Sequence, residues 1–181
     1  MTTYNTFKEF SNIPYSVVSY LLDNSEDVWR LLKYDTPDAW DKNKYPNLSK
    51  IEKGKMIYDG VMKQEDARVF MTTGMSDGWV EMTTQLRISI VEMIPSNTVY
   101  GNISIGVEIL PHFQVNQLSN YRQRDNMIAE EIIRVLNGAE ITEGLGRIYF
   151  DFSKNPRCKM TVIGSNPFIG KGLIFCNWIS G

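Results

Sequence analysis

His112 is the single histidine of the chain, and an imidazole is the side chain best suited to exchanging protons near neutral pH. It follows Pro111 at the end of a strand-like run, and no serine, cysteine or carboxylate motif accompanies it. Acid–base work could instead come from paired carboxylates, Glu130 beside Glu131 or Glu140 with Glu143. Such a pair acts only across a cleft at a set separation, and on a helix end or loop it reads as a solvated face. Two glycine clusters, Gly144-Leu145-Gly146 and Gly164 with Gly170-Lys171-Gly172, invite a phosphate loop. A phosphate loop follows a buried strand and opens a helix whose first amides hold the anion. Here each cluster leads into a strand, so turns requiring positive φ are expected instead. Cys158 and Cys176 have neither zinc nor redox spacing and are expected to be reduced, buried packing residues. With no HExxH, His/Cys cluster or EF-hand spacing, the sequence assigns no catalytic, cofactor-binding or metal-binding residue. The expectation is a protein that is not an enzyme and needs no cofactor. The alternative is a small binding module, or a hydrolase using His112 and the carboxylates.

Charge narrows the partners. With 19 Lys and Arg against 21 Asp and Glu the net charge is −2, so no global attraction draws the chain to nucleic acid or to an acidic membrane. Arg122 and Arg124 sit among neutral and acidic neighbours and support only weak phosphate contact. The start, Met1 to Lys8, lacks the charged-then-apolar order of a signal peptide, and no run of about 18 apolar residues is present. Cytosolic synthesis without membrane association is expected.

The elements that must position these residues follow from periodicity. Residues 11–34 predict two tandem helices: Pro14 suits a first turn, Tyr15, Val18, Leu21 and Leu22 form a stripe, and Ser25 caps a second helix with Val28, Leu31 and Leu32 inward. Regular pattern then dissolves over 35–66, except for a short helical turn within 48–56. Strands are expected at 67–72 and 86–94, and most clearly at 103–109, where Ile103, Ile105, Val107 and Ile109 alternate with polar residues. A Pro95-Ser96-Asn97 turn makes the latter two an antiparallel pair. A helix over 119–137 presents Ile128, Ile132, Val135 and Leu136, pairs Glu130 with Arg134 and stops at Asn137-Gly138. Strands return at 147–152, 159–163 and 172–179. This order predicts an α+β fold, 1–181 as a single structural domain, with a largely antiparallel sheet, helices packed on one face, and a long irregular arm or insertion at 35–66. Trp40, Tyr45 and Tyr58 in that segment, with Trp79 beyond it, are the candidate interface residues, because large aromatics are enriched where proteins meet.

The strands Gln85–Ile90 and Ile103–Ile109, the helix Arg122–Gly138 and the strand Gly144–Phe150 together resemble neck and tail-end proteins of tailed bacteriophages. The stretch Leu21–Tyr34 is similar to the start of phage connector proteins found near the portal. A ring or collar protein of a short-tailed, crAss-like phage is the nearest likeness, and the resemblance covers most of residues 13–178. It implies a virion structural protein, made in the host cytoplasm, that forms a homo-oligomeric ring between portal and tail. Its partners would be its own copies, the portal or adjacent neck and tail proteins, and genomic DNA passing through the channel. The long arm departs from the simplest tail-terminator pattern, which leaves adaptor, collar and terminator positions open.

Overall fold

The computed structural model describes residues 10–72, 81–95, 101–141 and 146–178. After a short 3-10 turn at Phe10–Asn12, α1 runs Ile13–Asn24 with Pro14 in its first turn, where a missing N–H removes no hydrogen bond. Its buried stripe is Ile13, Val17, Val18 and Leu21, whereas Tyr15, expected inside, is 60% exposed. Ser25 closes α1 through its N–H to the Leu21 carbonyl, and its Oγ accepts from Val28 N at the start of α2, Asp27–Lys33. The second helix is more enclosed than a single stripe predicts: Val28, Trp29, Arg30, Leu31 and Leu32 are all buried.

The reason lies in residues 35–66. Most of this stretch is irregular, as the sequence reads, but it lies along the body instead of extending from it. Ala39, Leu48 and Met56 belong to the hydrophobic core. Its regular turn is α3, Lys50–Gly54, started by a capping box in which Ser49 and Glu52 satisfy each other's backbone amides.

One mixed sheet carries the rest. β1 (Val69–Phe70) runs parallel to the start of β2 (Thr84–Pro95), and β2 is antiparallel to β3 (Gly101–Pro111) with a bulge between Ile90 and Glu92. β3 is antiparallel to the long β6 (Phe168–Trp178). The far side of β6 pairs first with β5 (Lys159–Ser165) and then with β4 (Arg147–Tyr149). The residues linking β2 to β3, 96–100, lie outside the described residues. Register aligns Leu86 with Ile109, Ile88 with Val107, and Ile105 with Phe175, so one face becomes continuous aliphatic and aromatic surface. Burying each such side chain contributes about 1.5–3 kcal/mol.

The helices cover that face. α5, Arg124–Leu136, lays Ile128, Ala129, Ile132 and Leu136 on it beside α1 and α2. It begins five residues later than the sequence predicts, because 117–123 close into a loop with Gln117 bridging Gln123. Glu130 therefore pairs back to Arg122, and Arg134 pairs with Glu131 instead of Glu130. α4, Phe113–Asn116, is one turn capped by the His112 side chain. Phe152, expected in a strand, stands in a turn and is 68% exposed.

Gly170 and Gly172 lie inside β6 rather than in a turn before it. A Cβ on Gly170 would sit 1.9 Å from the Ile109 carbonyl oxygen, so glycine there permits close strand approach. By contrast, nothing lies within 4 Å of a Cβ on Gly54. Gly170→Ala is expected to destabilise the fold by about 2 kcal/mol or more in urea titrations. Gly54→Ala is expected to be neutral or to stabilise by up to about 1 kcal/mol in the same titrations.

Candidate functional site

Helix ends leave carbonyls without intrahelical partners, and in this molecule buried cations answer them. Lys53 Nζ, carried inward by α3, donates to the carbonyls of Leu22 and Ser25 (both 3.2 Å) and to Glu26 Oε1 (2.8 Å). Arg30 donates to the Ala39 carbonyl (3.0 Å), Asn47 Oδ1 (3.3 Å) and Asp27 Oδ1 (2.8 Å), which holds residues 39–47 against α2. Arg124 is fully buried and donates to the carbonyls of Leu31, Tyr34, Thr36 and Val115 at 2.5–2.8 Å. Burial pulls its guanidinium down to about 10, with the Asp35 carboxylate opposing that shift. The weakly basic stretch read from the sequence thus contains one structural cation, Arg124, and one surface cation, Arg122.

On this frame the candidate aromatics are turned to different neighbours. Tyr45 stacks at 4.7 Å on Tyr34, and Tyr58 lies 5.6 Å from Phe70; both are half-buried. Trp40 stays 37% exposed, its indole N–H donating to Ser119 Oγ (2.9 Å). Ser119 Oγ donates in turn to Asp38 Oδ1 (2.6 Å), whose other oxygen accepts from Lys44 (2.6 Å). Trp79 lies outside the described residues. Two positions beyond Ser119, Tyr121 is 94% exposed at a turn where its N–H reaches the Leu118 carbonyl, with φ at +64°. A bulky residue seldom adopts that conformation. Sequence reasoning missed Tyr121 because it lay inside a predicted helix, and Ser119-Asn120 before it was the available sign of a turn.

The acid–base candidates are structurally employed. His112 is buried; its Nδ1 accepts from Gln114 N (3.3 Å) and its ring packs on Phe113 and Phe168. Glu131 accepts from Ser25 and Arg134 and Glu130 pairs with Arg122, whereas Glu140 is exposed and meets Arg147 only through a backbone β-bridge, and Glu143 lies outside the described residues. Gly146 and Gly164 do take positive φ, and Gly144 and Leu145 lie outside the described residues. Cys158 and Cys176 are free and buried; burial, then the adjacent Cys158, pushes the Cys176 thiol up to about 12. Among the described residues no three His, Cys, Asp or Glu side chains group as for a metal ion, and no helix is long and apolar enough to cross a membrane. A shallow groove of about 240 Å³ runs beside α1, lined by Tyr15, Ser19, Tyr20, Asp23 and Ile141, with Asp23 paired to Lys50.

Asp35 joins the pinned segment to the sheet. Burial raises its carboxyl from 3.8 to about 6 against the opposing pull of Arg68 and Arg124, and its Oδ1 is buried without a hydrogen bond. Between these two values the folded chain holds a proton the unfolded chain has released, so the contribution of Asp35 to stability falls as pH rises through that window. The wild type minus Asp35→Asn difference in unfolding free energy is expected to change by about 1–3 kcal/mol between pH 4 and pH 7, measured by urea denaturation. Arg124→Met, which strands four carbonyls, is expected to lose about 3–5 kcal/mol in the same assay, with Arg124→Lys intermediate.

A family model named YomW matches residues 25–175. No curated protein and no solved structure matches the chain. The matched stretch begins at Ser25, just before α2, and ends within β6, and it takes in the three pinning cations, Trp40 and Tyr121. The chain belongs to the YomW family, a phage-derived family.

Proposed function

We propose that this chain is a non-enzymatic virion structural protein that forms an oligomeric ring in the head-to-tail neck of a tailed phage. The ring would bound the channel through which DNA passes, with the portal and the adjacent neck or tail proteins as neighbours. The phage-derived family supports a phage role. The observation that carries the subunit reading is the corner made by Trp40 and Tyr121. One ring is fixed through Ser119, and the other stands almost wholly in water on a turn of unfavourable backbone conformation. An exposed ring already fixed by a hydrogen bond, as Trp40 is, would lose little further freedom on binding. Head-to-tail contacts between identical subunits close into a ring when the rotation between them divides a circle.

The irregular segment cannot be removed to test this, because Ala39, Leu48, Lys53 and Met56 are buried in the body. Point variants at the corner serve instead. Trp40→Ala with Tyr121→Ala is expected to keep the wild-type circular dichroism spectrum and yet fail to enter virions in a complementation assay. Native mass spectrometry of neck complexes released from wild-type virions is expected to show the chain as a high-order cyclic oligomer. Virions that lack the chain, or hold it as a monomer, would overturn the reading.

A further inference from the structure

Sheet edges differ sharply in how they are protected here. The outer side of β1 is occupied by its own chain, where Tyr58 N–H reaches the Val69 carbonyl and Val69 N–H reaches Met56. The outer side of β4 is likewise occupied, through the Gly138 and Ile148 amides. β2 beyond β1 carries a bulge and the charged Glu92, which is paired with Arg157. These are the devices that keep an edge from pairing with another chain. Among the described residues β5 has none of them along its centre, and its departure from extended backbone, Gly164 with φ at +89°, lies next to its end. It is seven residues long, six of the seven are exposed and Ile163 is half-buried, and its one charge, Lys159, stands at its first position. In an antiparallel ladder alternate residues turn their N–H and C=O outward, so on the side away from β6 the β5 strand offers a row of groups unpaired among the described residues.

Its apolar residues add to the exposure. Met160 and Val162 stand opposite Leu173 and Lys171 of β6, on the helix-bearing face but outside the helix layer. They are 48% and 68% exposed, and Ile169 on the same face is 41% exposed.

The geometry points to β5 as a self-association edge whose occupant is the β5 strand of a second copy, antiparallel about a two-fold axis at Val162. That register fits the strand's own residues. Lys159 falls opposite Ser165 of the other copy, so no like charges meet. Met160 falls opposite Gly164, which leaves its side chain room, and Val162 meets Val162. Polar backbone and apolar side chains are covered together, and the contact is isologous. It is therefore distinct from any head-to-tail contact that closes a ring, and it does not depend on the neck reading.

Analytical ultracentrifugation of the full chain is expected to give a dimer. Val162→Lys and Val162→Glu each set like charges face to face and are expected to weaken dimerisation about tenfold or more. Mixing the two variants is expected to restore the dimer, and thermal melts of each monomeric variant should match those of wild type diluted to monomer. Val162→Cys is expected to cross-link two copies on mild oxidation, since facing Cα atoms in such a ladder lie about 5.5 Å apart. Lys159→Cys should not cross-link. A wild-type chain that sediments as a monomer, as it would if a different protein covered this edge, overturns the proposal, and so does a dimer indifferent to Val162→Lys. Loss of the dimer with neck rings intact removes this inference alone, whereas a cross-linked dimer of a chain absent from virions removes the neck reading alone.

Discussion

Lys53, Arg30 and Arg124 hold the first part of the chain together by donating to carbonyls that helices and loops leave without partners. Residues 35–49 contain no helix or strand to satisfy their own backbone, and in a buried setting each unanswered carbonyl would carry a desolvation penalty of about 1–3 kcal/mol. A guanidinium presents several donors in a fixed fork, so one Arg124 serves α2, the chain after it and the short helix α4 simultaneously. An apolar side chain of similar size would fill the space and leave the carbonyls stranded. Burial shifts both Arg124 and Asp35 away from their charged forms, and the attraction between the two charges opposes each shift.

This pinning also fixes the backbone that carries Trp40. An aromatic on a loose loop must be ordered before it can contribute to an interface, whereas here the loop is already fastened by the cations beneath it and by the Asp38–Ser119–Trp40 chain of hydrogen bonds above. Tyr45 and Tyr58 belong to the fastening: each packs its ring on an aromatic of the body.

How much of this was legible follows from what each signal depends on. Period-two alternation marks the inward face of β3, because one face is buried and a slip would reverse every residue, and the Pro95-Ser96-Asn97 signal points to its antiparallel pairing with β2. Ser25 and the acidic turn after it marked the start of α2 correctly. The N-terminus of α5 was misread because Ser119 resembles a cap, while its hydroxyl is engaged by Trp40 and Asp38, distant in sequence. β6 begins earlier than the sequence predicts because Gly170, Lys171 and Gly172 carry no apolar periodicity; Gly170 suits the close approach to β3 and Gly172 leaves space for Ile163. Aromatic type singled out Trp40, Tyr45 and Tyr58 together, and only the fold separates the exposed Trp40 from the half-buried Tyr45 and Tyr58. The buried cations gave no sign at all, since lysine and arginine are ordinarily exposed.

Arg124 bonds to Leu31 across 93 positions of sequence, and that span bears on how the polypeptide is made. Ribosomes release a chain from its N-terminus. The carbonyls at the end of α2 therefore emerge long before the guanidinium that will bind them, and the segment after α2 must wait in water, its core residues Ala39 and Leu48 unsheltered, until α5 has been synthesised. Long-range closure of this kind slows folding. The Arg124 contacts that lock the N-terminal half therefore form only once α5 has been translated.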